Sequence, residues 1–150
     1  MQKKIKTGLI LATNRHNYIK YSKVIYMNEL SDQQFDAIIT RAMDELPQEY
    51  IKGLENVAIV MADEPTEEQA IKMKLREHTI LLGLYEGIPL TQRGNSYTFV
   101  LPDKITLFKH SIMRVVRNEA EFFEQTKRTL WHEIAHYYGL NHDRMHELQK

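Results

Sequence analysis

The sequence has 150 residues, 43% hydrophobic and 27% charged, the balance of a globular chain able to bury about two-thirds of its unfolded surface. Its 20 basic and 20 acidic residues cancel, so no overall charge draws it to nucleic acid or to an acidic membrane. It has no cysteine, which excludes disulfides and thiolate metal ligands and leaves imidazole and carboxylate as the strong donors.

Residues 1–26 are basic and aromatic, and a weak alternation from Tyr18 to Tyr26 fits an N-terminal arm or an edge strand. The apolar stretch Gly8 to Ala12 is too short for the core of a secretion signal. No run approaches the roughly 18 apolar residues of a membrane span, so a cytoplasmic protein with no membrane partner is expected. Ser31-Asp32 starts a helix in which Phe35, Ile38, Ile39, Ala42, Met43 and Leu46 recur at helical spacing, and Pro47 marks its stop. Val57 to Met61 reads as a short buried strand. Asp63-Glu64-Pro65-Thr66 is a turn, Glu67 to Arg76 permits a helix, and Thr79 to Tyr85 is apolar again. Gly87, Pro89, Gly94 and Asn95 then break the chain into a loop. Tyr97 to Leu101 and Lys104 to Lys109 flank Pro102-Asp103 as a hairpin or tight strand connection. Ser111 to Val116 is a short helix, and Asn118 caps a long one that runs to about Tyr138 and stops at Gly139. With no repeat or internal boundary, residues 1–150 are expected to form one α+β domain, a small mixed sheet packed against helices.

The last helix carries the chemistry. His132 and His136 in His132-Glu133-Ile134-Ala135-His136 lie one turn apart on one face, about 6 Å along the axis, and can converge on one zinc at about 2.1 Å. Glu133 sits beside that pair, placed to act as general base on a zinc-bound water. The apolar residues Phe123, Leu130, Trp131, Ile134, Tyr137 and Tyr138 form a wide stripe, and both imidazoles lie about 160° from Ile134, off the core and toward a cleft or water. Gln125 and Thr129 share that face. Zinc needs a third protein ligand and an open fourth position for catalysis. Gly139 lets the chain leave the helix in a left-handed turn and return with His142, the leading candidate. Asp143 and His146 are the alternatives. His16, His78 and His110 have no partner at ligand spacing.

The extended pattern His132-Glu133-x-x-His136-x-x-Gly139-x-x-His142-Asp143 resembles the zinc-binding consensus of metzincin peptidases. Only eight residues follow His142, however, so the methionine turn that underlies the metal in metzincins has no room downstream, and Met145 is too close to supply it. A closer resemblance spans about Met27 to Leu148. It rests on Leu81 to Thr91 with Arg93-Gly94, on Leu101 to Phe108, and on His132 to Leu148. Together these resemble the small bacterial zincin-like metallopeptidases. That resemblance implies a minimal zincin-like fold, a short sheet backed by helices, with zinc held by the two helix histidines and a ligand six residues on. Members often have an acidic residue at that third place, where this chain has His142. In such folds the loop from Tyr85 to Gly94 is a wall of the cleft, and Tyr85 or Arg93 is a candidate donor to a developing oxyanion. The plainer reading packs Tyr85 in the core and leaves Arg93 in solvent. Lys104 to Lys109 is the candidate sheet edge for binding an extended peptide by strand addition.

The leading expectation is therefore a zinc-dependent peptidase acting on a peptide or protein, with Zn2+ as cofactor. Two alternatives come from other classes. Metal-dependent endoribonucleases of ribosomal RNA maturation share the histidine spacing but carry glycine at the place of Glu133, and the zero net charge argues against RNA. A zinc-binding module with latent or absent peptidase activity is the other.

Overall fold

The computed structural model describes residues 30–95, 97 and 100–148. The arm or edge strand expected over residues 1–26 lies outside them. Helix α1 (Asp32–Glu45) begins where Ser31 and Gln34 cap each other: the Gln34 N–H donates to Ser31 Oγ at 3.1 Å, and the Ser31 N–H to Gln34 Oε1 at 2.8 Å. Ser31→Ala is expected to lower stability by about 1 kcal/mol in urea unfolding, because one helix-end donor loses its partner. The helix buries Phe35, Ile39 and Ala42, the stripe read from the sequence, and ends at Leu46 just before Pro47. Pro47 is the N-cap of a short helix that the sequence pattern had not indicated, α2 (Gln48–Lys52).

Strand β1 (Val57–Ala62) alternates half-buried and exposed side chains for its first four residues, with Ala58 and Val60 outward. Helix α3 (Glu67–Lys72) stops well short of Arg76, because Lys74 takes a left-handed φ of +50°. Strand β2 (Gly83–Glu86) takes only the end of the apolar run Thr79 to Tyr85 and extends one residue past it, and a 3-10 turn follows at Leu90–Gln92. Strand β3 (Asp103–Phe108) runs directly into α4 (Lys109–Val115). Two helices end the chain's described part, α5 (Glu119–Tyr138) and α6 (His142–Leu148).

The sheet has the order β1-β3-β2 and is mixed. β1 pairs with β3 in parallel from Val57 opposite Asp103 to Ala62 opposite Phe108. β2 pairs with β3 antiparallel from Gly83 opposite Leu107 to Glu86 opposite Lys104. This arrangement corrects two expectations. No hairpin turns on Pro102-Asp103: both strand partners of β3 come from earlier in the chain, and Leu101 and Pro102 lie outside any strand. The segment Lys104 to Lys109 is also not a sheet edge, because β3 is bonded on both sides; β1 and β2 are the edges of the described sheet.

Ile105 and Leu107 of β3 face the helices and join Phe35, Phe122, Leu130, Trp131 and Ile134 in one core. α1 packs on α5 through Phe35 and Phe122, whose ring centroids are 5.6 Å apart. The result is the α+β architecture expected, with the long helix laid across the sheet. No helix among the described residues is long and apolar enough to cross a membrane.

Candidate metal centre

Helix α5 is set by local rules at both ends. The Asn118 side chain accepts the Glu121 N–H at 2.9 Å, and Gly139 ends the helix with φ +71°. The reversal is closed by the Leu140 N–H donating to the Ala135 carbonyl at 2.9 Å. A Cβ on Gly139 would be strained by that φ and would overlap the Thr91 side chain, so the loop after β2 rests on the end of α5.

Between those ends, His132 and His136 bring their Nε2 atoms to 3.0 Å, with ring planes 83° apart. Two nitrogens bound at about 2.1 Å to one tetrahedral zinc lie about 3.4 Å apart, so this pair needs only a small opening to share a metal. The two imidazoles fit zinc in chemistry and in spacing. Among the described residues, Asp143 included, no third His, Asp or Glu completes the group. The side chains of His142 and His146 lie outside the described part, while α6 begins at His142.

The face carrying the histidines is less open than its sequence pattern implied. His132 and His136 are half-buried, but Thr129 and Glu133 beside them are buried, at 6% and 7% exposure. The cause is Gly83 of β2: a Cβ there would come within 2.7 Å of Thr129 Cγ2 and 3.1 Å of Glu133 Cγ. Lacking that atom, the strand lies directly on the helix. Glu133 Oε2 accepts the backbone N–H of Tyr85 at 2.9 Å. Burial pushes the Glu133 carboxyl up to about 7, against the weaker opposing pull of that hydrogen bond.

Tyr85 and Arg93 converge on one residue. The Tyr85 hydroxyl donates to Asp103 Oδ2 at 2.6 Å, and Arg93 Nη2 donates to the same oxygen at 2.5 Å. Tyr97 donates to Oδ1 at 2.9 Å. Arg93 also reaches the Ile88 carbonyl at 2.9 Å and lies 4.3 Å from the centroid of the Tyr97 ring. The two side chains proposed from sequence as oxyanion donors thus bond a buried carboxylate, and Arg93 is largely buried in doing so. Burial, then the bond to Asp103, holds the Tyr85 hydroxyl well above its ordinary pKa, so it remains a donor.

A family model for zincin-like metallopeptidases matches residues 54–150. The chain belongs to that family. A comparison with curated proteins finds no match. In this zincin-like chain the matched span contains the whole sheet, the loop pinned by Arg93 and the histidine helix. Sequence reasoning missed Asp103 as a residue of the site. Its signal was ambiguous, because Pro102-Asp103 is also an ordinary turn pair. The buried mate it would need, Arg93, could be recognised only in three dimensions.

Proposed function

We propose that the chain is a zinc-dependent peptidase, with His132, His136 and His142 holding the metal and Glu133 serving as general base. The observation that carries this reading is the His132 and His136 nitrogen pair at 3.0 Å on the helix that also holds the buried Glu133 carboxylate. Zinc held there supplies Lewis-acid polarisation of a carbonyl and makes water a stronger acid.

The chain's own groups account for the remaining steps. Glu133 is anchored through Oε2, so Oε1 is the oxygen that takes a proton from the attacking water and returns it to the leaving amine. The neighbouring strand edge supplies the docking surface. Phe108 donates its N–H to the Leu82 carbonyl at 3.0 Å, whereas the Tyr85 N–H turns to α5. Antiparallel pairing alternates inward and outward groups, so Gly83 and Tyr85 aim their backbone away from β3. An extended peptide adds along that edge of β2 beside Glu133, pairing with groups other than the Tyr85 N–H, which Glu133 takes.

Incubating the full chain with a peptide library and, separately, with structured RNA tests the proposal. Peptide cleavage is expected, lost on chelation and restored by zinc, with the RNA intact. Full zinc occupancy without cleavage of any peptide overturns it, and chelator-sensitive RNA cleavage points instead to the nuclease class.

A further inference from the structure

We propose that Asp103 is a positioning residue for Glu133, acting through Tyr85; the inference rests on the reading of Glu133 as the base. Tyr85 is held by two buried carboxylates at once. Its hydroxyl donates to Asp103 Oδ2 at 2.6 Å, and its backbone N–H donates to Glu133 Oε2 at 2.9 Å. Asp103 in turn is fixed from several sides. It is 3% exposed, takes Arg93 and Tyr97 as further donors, and sends its own N–H to the Asn56 carbonyl at 2.9 Å. Gly87 leaves room for its carboxylate, since a Cβ there would overlap it.

A buried ion pair is a weak source of stability, and an apolar residue would fill the same space with less desolvation. Its use here is register. β2 is a four-residue edge strand with few ladder bonds of its own. A slip of one residue along β3 would turn Tyr85 to the opposite face and carry its N–H away from Glu133. The bond from Tyr85 to Asp103 opposes that slip, because Asp103 is the first residue of the central strand, paired with Val57 of β1 and held by Arg93 and Tyr97 through its carboxylate. The carboxylate on α5 that moves the proton is therefore set in place by one on the central strand that never touches substrate.

Tyr85→Phe removes the Asp103 bond and keeps the backbone N–H. The control is Tyr138→Phe, which deletes a hydroxyl bond of 2.7 Å to the Tyr50 carbonyl from the same helix and leaves the Tyr85 bonds to Asp103 and Glu133 in place. Two readouts are taken: the 15N–1H amide resonance of residue 85, with Glu133→Ala marking its position when the acceptor is lost, and steady-state peptide hydrolysis with zinc content. In Tyr85→Phe, amide 85 is expected to shift toward its Glu133→Ala position. kcat falls about 10-fold with KM and zinc content unchanged, as for a small misplacement of a reacting group. Asp103→Asn moves the same amide in the same direction, and Tyr138→Phe changes neither readout. An unmoved amide 85 in Tyr85→Phe, or equal losses in Tyr85→Phe and Tyr138→Phe, overturns the proposal. The amide is read without turnover, so a shift in a protein that cleaves nothing keeps the link to Glu133 and removes the peptidase reading alone.

Discussion

Replacing Glu133 with Gln is expected to lower peptide hydrolysis by about 1,000-fold, within the range contributed by a general acid–base group, while zinc content stays at the wild-type level. The two side chains have the same shape, and the amide oxygen of Gln can still accept the Tyr85 N–H that Glu133 Oε2 accepts now. The fold has no reason to suffer, because a neutral amide is easier to bury than a carboxylate in a seat that is 7% exposed. What the amide cannot do is take a proton. kcat/KM, zinc per chain and the thermal midpoint, measured on one preparation, separate the possible outcomes. Loss of turnover with zinc and midpoint retained supports the base; wild-type turnover removes Glu133 from the chemistry. Loss of zinc would make it a support of the metal.

The part of this site that local chemistry dictates was legible in the sequence. α5 runs from its Asn118 cap to Gly139 as expected, because a capping side chain, an apolar period and a left-handed glycine all act within a few residues. The pairing of His132 and His136 followed from the same helical period. α1 was readable for the same reasons, from Ser31 to the halt before Pro47. The order of the sheet was not. Nothing local marks the segment from Lys104 to Lys109, expected as a sheet edge, as the central strand. Lys109 is in fact nearly buried, its ammonium 2.6 Å from Asp32 and 3.3 Å from Asp63, groups far away in the chain. Nor could periodicity reveal that Gly83 was there for the sake of the helix. Its missing Cβ lets β2 lie on Thr129 and Glu133, and that contact buries half of a face expected to be open. Tyr85 illustrates the same limit: sequence offered its hydroxyl to the cleft, whereas the group that meets Glu133 is its backbone N–H, which every residue but proline has.

His142→Ala is expected to weaken zinc binding by more than about 100-fold, beyond the loss that removing a supporting hydrogen bond to a metal ligand brings, while Asp143→Ala binds as the wild type does. The argument starts from what α5 supplies. His132 and His136 give two nitrogens, and a catalytic zinc takes three protein ligands with a fourth position open. No third donor is present among the described residues, and Asp143 is exposed. The chain reverses at Gly139, and three residues later α6 begins at His142. α6 is fixed there by Asn141, whose side chain accepts the Arg144 N–H at 2.8 Å, and by Met145, which is 4% exposed. The methionine that stands too close to His142 to form a turn beneath the metal thus has a different task, docking the short helix that begins with the proposed ligand. Competition titration with a zinc chelator, on wild type and both variants, gives the affinities directly. Weakening in Asp143→Ala alone assigns the third place to the carboxylate, and unchanged affinity in both variants transfers it to His146. Only loss confined to His142→Ala makes the set His132, His136 and His142, with Glu133 left as the carboxylate free of the metal.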